Sequence, residues 1–266
     1  MRFFERARVF MSAAGAPRGE GTTNRCGQLN RKPEPLKTLG IIGGVGPEST
    51  VDYYQSIIEV FRKRKPDAGY PPLIINSINL DKLRAFVEAG DFPALVKDLV
   101  EELWKLQRAG VDFALLAANT PHLVFDDLQR ESPLPLLSIV EATRDAARAR
   151  GQKRLALFGT RFTMQARFYP DVFSRAGIEV VVPKPTDQDY IHDKYMNELI
   201  NGVFLPETRA GLLAVVDRVK ETSGIDGVIL GGTELPLILR ENAYEGIPFL
   251  NTTKIHVEAA VDRMLS

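Results

Sequence analysis

The chain has 266 residues, enough for one large α/β domain or two smaller ones with a sizeable buried core. Its 34 Lys and Arg balance 34 Asp and Glu, so no basic excess points to nucleic acid or an anionic membrane, and a small ligand is the class left open. No apolar run approaches the roughly 18 residues of a membrane-spanning helix, and a single cysteine, Cys26, excludes an internal disulfide framework or a Cys-based zinc cluster and fits a reducing, cytoplasmic setting.

Residues 1–36 carry seven Arg and Lys against three acids with no sustained apolar period, and read as a disordered extension. Arg2, Arg6 and Arg8 beside Phe3, Phe4, Val9 and Phe10 also suit an organellar targeting peptide, which Glu5 weakens; a start at Met11 or later is an ordinary alternative. Cys26, among Gly, Thr, Asn and Arg, reads as an exposed tail thiol.

From Leu36 onward, short apolar runs ending in Gly, Asn or Thr alternate with longer amphipathic stretches, the pattern of βα units in parallel sheets. Strands are predicted over residues 38–42, 73–78, 113–117, 134–139, 154–158, 179–182, 227–230 and 248–251. Helices are predicted over 49–64, 92–109, 140–150, 164–176, 190–201, 206–222 and 253–264. In the second of these Leu95, Leu99, Leu103 and Leu106 recur at helical spacing, with Trp104 beside them, and are assigned to the core.

The two halves repeat. "GVDFALLAANT" from Gly110 aligns without a gap with "GIDGVILGGTE" from Gly224, and "LGIIGGVGPEST" from Leu39 echoes "LALFGTRFTM" from Leu155. The expected fold class is therefore α/β, with two pseudo-symmetric parallel-sheet αβα domains and a ligand cleft between them. Residues 37–142 form the first domain, with a C-terminal helix over 252–266 packing back on it, and residues 143–251 form the second.

Open α/β sheets bind ligands beyond the carboxyl ends of their strands, where loop amides and helix N-termini point outward. Ser49, Thr50, Asn119, Thr120, Thr160, Thr163 and Thr233 fall there and could donate to a carboxylate, although Ser and Thr at such turns also serve as helix caps. Gly43, Gly44 and Gly46 allow close backbone approach, but "GGVGPEST" lacks the Lys of a phosphate loop and the G-x-G-x-x-G spacing, so no nucleotide is expected. His122, His192 and His256 are scattered, and no metal is expected.

On "GIIGGVGPEST", "AANTPH", "FGTRFTM", "GVILGGTELPL" and "NTTKIHVEAAV", in that order, the chain resembles the aspartate/glutamate racemase family from about Leu36 to its end. The resemblance implies a cofactor-independent enzyme that binds an amino acid between two pseudo-symmetric domains. One group removes the α-proton from one face while another delivers a proton to the opposite face. In the family these groups are usually cysteines, in C-N-T and G-C-T-E motifs. The matching positions here are Ala118 and Gly232, so both proton carriers are replaced.

The side chains left to transfer a proton are His122, Glu234 and Thr120, while Gly44, Val45, Asn119, Thr120, Thr160, Thr163 and Thr233 are expected to bind substrate. Some relatives carry a Lys near the region "LINGVF" from Leu199, which has none here, leaving the preference for an acidic side chain open. Three functions follow: a cysteine-independent racemase or epimerase, a lyase, decarboxylase or isomerase on a related acid, or a non-catalytic binder. A small amino acid or carboxylic acid is the ligand in all three. Relatives are commonly dimeric, which leaves a homodimer open.

Overall fold

Three of the predicted runs pair as neighbours in the first sheet: β1 (Leu39–Gly43), β2 (Leu73–Ser77) and β3 (Phe113–Leu116), with β4 (Leu136–Leu137) at the edge. The computed structural model describes residues 36–266; Cys26 and the reading of residues 1–36 as a disordered or targeting extension fall on residues 1–35, outside those described, apart from Leu36. All pairs in this sheet are parallel, in the order β2-β1-β3-β4. A second sheet contains β5 (Arg154–Phe158), β6 (Glu179–Val181), β7 (Gly227–Leu230), the short β8 (Ala243–Tyr244) and β9 (Ile247–Asn251), in the order β6-β5-β7-β9-β8. It is parallel except for β8, which runs antiparallel on the outer edge of β9.

The internal repeat is carried into strand register. Leu39 sits opposite Phe113 in the first sheet, and their repeat partners Leu155 and Gly227 sit opposite each other in the second. The matched Asp112 and Asp226 do the same local work. The Asp112 carboxylate accepts from the Thr38 N–H at 2.6 Å, and that of Asp226 from Lys153 and Arg154 at 2.6 and 3.1 Å, each tying the start of one central strand to its neighbour.

Helices cover both faces of each sheet, because alternate strand residues are apolar on both sides. In the first sheet Leu39, Ile41, Phe113 and Leu115 pack against α1 (Pro47–Arg64) through Tyr53, Ile57 and Phe61. Ile42, Ala114 and Leu116 face α2 (Leu80–Ala89), α3 (Phe92–Arg108) and α4 (Phe125–Glu131). In the second sheet Leu155, Leu157 and Ile229 face α5 (Ile139–Ala149) and, beyond the short α6 (Arg161–Gln165), α7 (Phe168–Ser174). Ala156, Phe158 and Val228 face α8 (Pro185–Asn197), α9 (Pro206–Ser223) and the single-turn α10 (Leu235–Ile238). The last helix, α11 (Thr252–Met264), follows directly on β9 yet places Val257, Ala260, Val261 and Met264 in the core of the first sheet. Fully burying an aliphatic side chain of this kind stabilises by about 1.5–3 kcal/mol. None of the described helices is long and apolar enough to cross a membrane.

Several boundaries differ from the sequence reading for local reasons. The strand predicted over 134–139 shrinks to two residues because Ser138 caps α5, its hydroxyl accepting from the Glu141 N–H at 3.3 Å. The helix predicted over 164–176 is two helices, Thr160 capping the first and Ala166 breaking it with an extended ψ of 166°. α8 begins at Pro185 rather than near residue 190, Pro being well suited to a first helical turn. α2 was not predicted, although the Asn79 side chain caps it and Gly90 ends it at φ 67°. Leu95, Leu99, Leu103 and Leu106 are buried as expected, but Trp104 is 43% exposed. The predicted domain boundary between residues 142 and 143 falls inside α5, whose buried Ile139, Val140 and Ala147 join the core of the second sheet.

Candidate functional site

The carboxyl ends of β1, β3, β5 and β7 open onto one cavity of about 60 Å³. Ala118 and Gly232 both line it, as do Val45, Asn119, Thr120, Thr160, Thr233 and Glu234. Gly44, Thr163 and His122 lie outside this lining, so three of the predicted site positions are not brought to the cavity.

The side of the cavity at the end of β3 carries no acid or base. Ala118 offers a methyl group. The Asn119 amide is committed to the scaffold: its Oδ1 accepts from the Tyr169 hydroxyl at 2.6 Å and its Nδ2 lies 3.4 Å from Thr252 Oγ1. The half-buried Thr120 hydroxyl is 3.4 Å from that of Thr160, which caps α6 by accepting from the Thr163 N–H at 3.2 Å. The Gly44 N–H is likewise used internally, donating to Thr50 Oγ1 at 2.9 Å. Ser49 and Thr252, at the starts of α1 and α11, donate to the carbonyls of Ala117 and Leu230 at 3.0 and 2.8 Å. Much of the polar character legible at these strand ends is therefore capping chemistry.

The end of β7 is different. A Cβ built on Gly232 would lie inside the van der Waals envelope of the Tyr195 ring, 3.0 Å from its hydroxyl. An aromatic ring from α8 thus occupies the space that a side chain at position 232 would use. The Tyr195 hydroxyl donates to Glu234 Oε2, which also accepts from Thr233 Oγ1 at 3.1 Å. Glu234 is only 1% exposed and its Oε1 has no hydrogen-bond partner among the described residues. That oxygen lies against Gly46, whose φ of 96° and missing Cβ leave it room. Burial pushes the Glu234 carboxyl above its usual range, and burial with the Glu234 charge pushes the Tyr195 hydroxyl well above its own. A hydroxyl hydrogen-bonded to a buried carboxyl thus stands at the cavity wall. Sequence reasoning missed Tyr195, which is 39 positions from Glu234 and lies within an ordinary helical pattern.

The Asp/Glu/hydantoin racemase profile matches residues 42–260. The chain belongs to that family. It is 26% identical over 235 residues to the broad specificity amino-acid racemase RacX of Bacillus subtilis (strain 168), spanning 86% of this chain and 98% of that protein. An aspartate racemase homologue from Pyrococcus horikoshii OT3 superposes with a TM-score of 0.74 at 35% identity, covering 87% of this chain and 100% of that one. The aspartate racemase of Picrophilus torridus shares the fold, with a TM-score of 0.70 at 21% identity over 86% of this chain and 94% of its own. This racemase-like chain has no cysteine between residues 36 and 266. Among the described residues lining its cavity, Glu234 carries the one carboxyl and Tyr195 the hydroxyl bonded to it, while Arg84 lies at the rim.

His122 does not serve the cavity of this family member. It is 2% exposed, stacks on Phe125 at 4.7 Å and accepts from the Ile139 N–H through Nε2 at 3.3 Å, helping to cap α5. Burial, with a smaller push from His256, holds its imidazole down at about 3. His256 is held at about 4 by burial, with Nδ1 2.9 Å from the Tyr53 hydroxyl and Nε2 3.1 Å from the Leu137 carbonyl. Both rings are neutral in the folded chain at pH values where unfolded histidine takes up a proton. Stability is therefore fully present above about pH 6.5 and drains away as pH falls toward 4 and 3, by on the order of a few kcal/mol. Urea unfolding from pH 7.5 to 4 should show this fall, and His122→Gln should flatten it. An equal slope in the variant would assign the acid sensitivity elsewhere.

Proposed function

We propose that the cavity binds a small amino acid or related carboxylic acid and that Tyr195, backed by Glu234, transfers a proton at the α-carbon on one face only. The observation that carries this reading is the Tyr195–Glu234 pair filling the place of a side chain at position 232, while Ala118 leaves the β3 side without an acid or base. Two outcomes are chemically accessible. The pair can take the α-hydrogen and return a solvent-derived one to the same face, or it can protonate a carbanion left when a carboxyl group departs as carbon dioxide. In taking the α-hydrogen the Tyr195 oxygen passes its own proton to the Glu234 carboxylate, and after giving a proton to carbon it is reprotonated from the Glu234 carboxylic acid, which exchanges with solvent. The shared strand order and register of the two sheets support an approximate twofold relation between a lobe of residues 37–142 with 252–266 and a lobe of residues 143–251. The single cysteine supports a cytoplasmic setting.

A second reading rests on Thr120, whose hydroxyl lines the cavity. If it served the β3 face, the chain would racemise its substrate. A hydroxyl needs a neighbouring base for that role, and its closest partner among the described residues is another threonine hydroxyl, Thr160.

The direct experiment is a screen of amino acids and small carboxylic acids in deuterium oxide, followed by NMR. Deuterium at the α-carbon, in recovered substrate or in product, is the expected result. Ligand binding with no deuterium in any compound would leave a non-catalytic binder and refute the catalytic reading.

A further inference from the structure

The cavity wall away from the strand ends is built from Leu80, Leu83 and Val87 of α2, Phe162 of α6, Met196 of α8 and Ile200 just beyond it. Among the described residues lining the cavity, the sole cation is Arg84. Its side chain is 46% exposed and lies 3.3 Å from Asp81 and 3.6 Å from Glu88 on its own helix, so its charge is both hydrated and shared. A substrate side-chain carboxylate placed against this wall would lose its water and gain no buried partner. It would also share the cavity with the Glu234 carboxyl, whose buried Oε1 already lacks a donor among the described residues.

We infer that the site selects a small aliphatic amino acid, or the matching 2-substituted carboxylic acid, against the dicarboxylic aspartate and glutamate. This rests on the reading of the cavity as the substrate site. Leu80, Leu83 and Val87 are the residues that set the preference, because they form a continuous apolar wall one helical turn apart on α2.

The test is calorimetric titration of the full chain with alanine, 2-aminobutyrate, aspartate and glutamate in both enantiomeric forms, with α-deuterium exchange followed in the same solutions. Alanine and 2-aminobutyrate should bind at least tenfold more tightly than either dicarboxylic acid. Met196→Lys, which places a cation at a half-buried position of the wall, should move that ratio at least tenfold toward aspartate. Aspartate or glutamate binding as tightly as alanine would overturn the inference, as would a folded Met196→Lys chain with an unchanged ratio. If the dicarboxylic acids bind best and exchange, selectivity falls while the proton-transfer reading stands. If the aliphatic acids bind best and nothing exchanges, selectivity stands and proton transfer falls. If neither class binds, both fall.

Discussion

Tyr195→Phe lowers the rate of α-proton transfer about 100- to 10,000-fold while changing ligand affinity by less than about threefold. The ring stays, so the space beside Gly232 remains filled and the core around α8 keeps its packing; only the hydroxyl that links the cavity to Glu234 is lost. A group used only as the proton is moving should appear in kcat and not in KM. Glu234→Gln should fall in the same range, because the amide keeps the shape and can still meet the Tyr195 hydroxyl but cannot reload it. Kinetics with circular dichroism on both variants checks this. A fall confined to KM, or full activity in Tyr195→Phe, would remove Tyr195 from the chemistry and return attention to Thr120.

Restoring the two cysteines at positions 118 and 232 should fail to create a two-thiol racemase. Ala118→Cys enlarges a side chain that already lines the cavity. Gly232→Cys instead drives its Cβ into the Tyr195 ring, and overpacking of this kind typically costs about 1–3 kcal/mol. The double variant is expected to be less stable by about that amount, with Tyr195 displaced from Glu234 and proton transfer lost. Adding Tyr195→Ala opens the space, so the triple variant should regain stability relative to the double variant and racemise an amino acid by the two-thiol route. Thermal unfolding and chiral chromatography on the three proteins decide the matter. A racemising double variant that retains Tyr195 would show that the ring does not block the second thiol.

The architecture was legible because the repeat is written in local sequence. "GVDFALL" and "GIDGVIL" both place an aspartate where it accepts from the backbone of the adjacent central strand, at Thr38 in one sheet and at Lys153 and Arg154 in the other. The shared position of Ala118 and Gly232 in the cavity lining was readable for the same reason. Function was less legible because the substituting group comes from a distant element. Apolar spacing identifies α8 as a helix but does not say that Tyr195 fills the space beside Gly232. His122 lies four residues beyond Ala118, yet the tight turn over Thr120–Val124 carries its ring away from the cavity and onto Phe125. Asn119 and Thr163, which read equally well as carboxylate donors or caps, are both engaged in hydrogen bonds within the scaffold. α2 could have been found from its Asn79 cap, Leu83 and Val87 one turn apart, and Gly90 at its end.

The central claim is that proton transfer occurs on one face, through Tyr195. It is tested most directly by running the reaction in deuterium oxide on a substrate that exchanges or loses carbon dioxide, then measuring both the deuterium content and the enantiomeric composition at the α-carbon of the same sample. A fully deuterated α-carbon of a single configuration is the predicted result. Deuterium entering in step with racemisation would contradict it, because inversion requires proton delivery from the face at the end of β3.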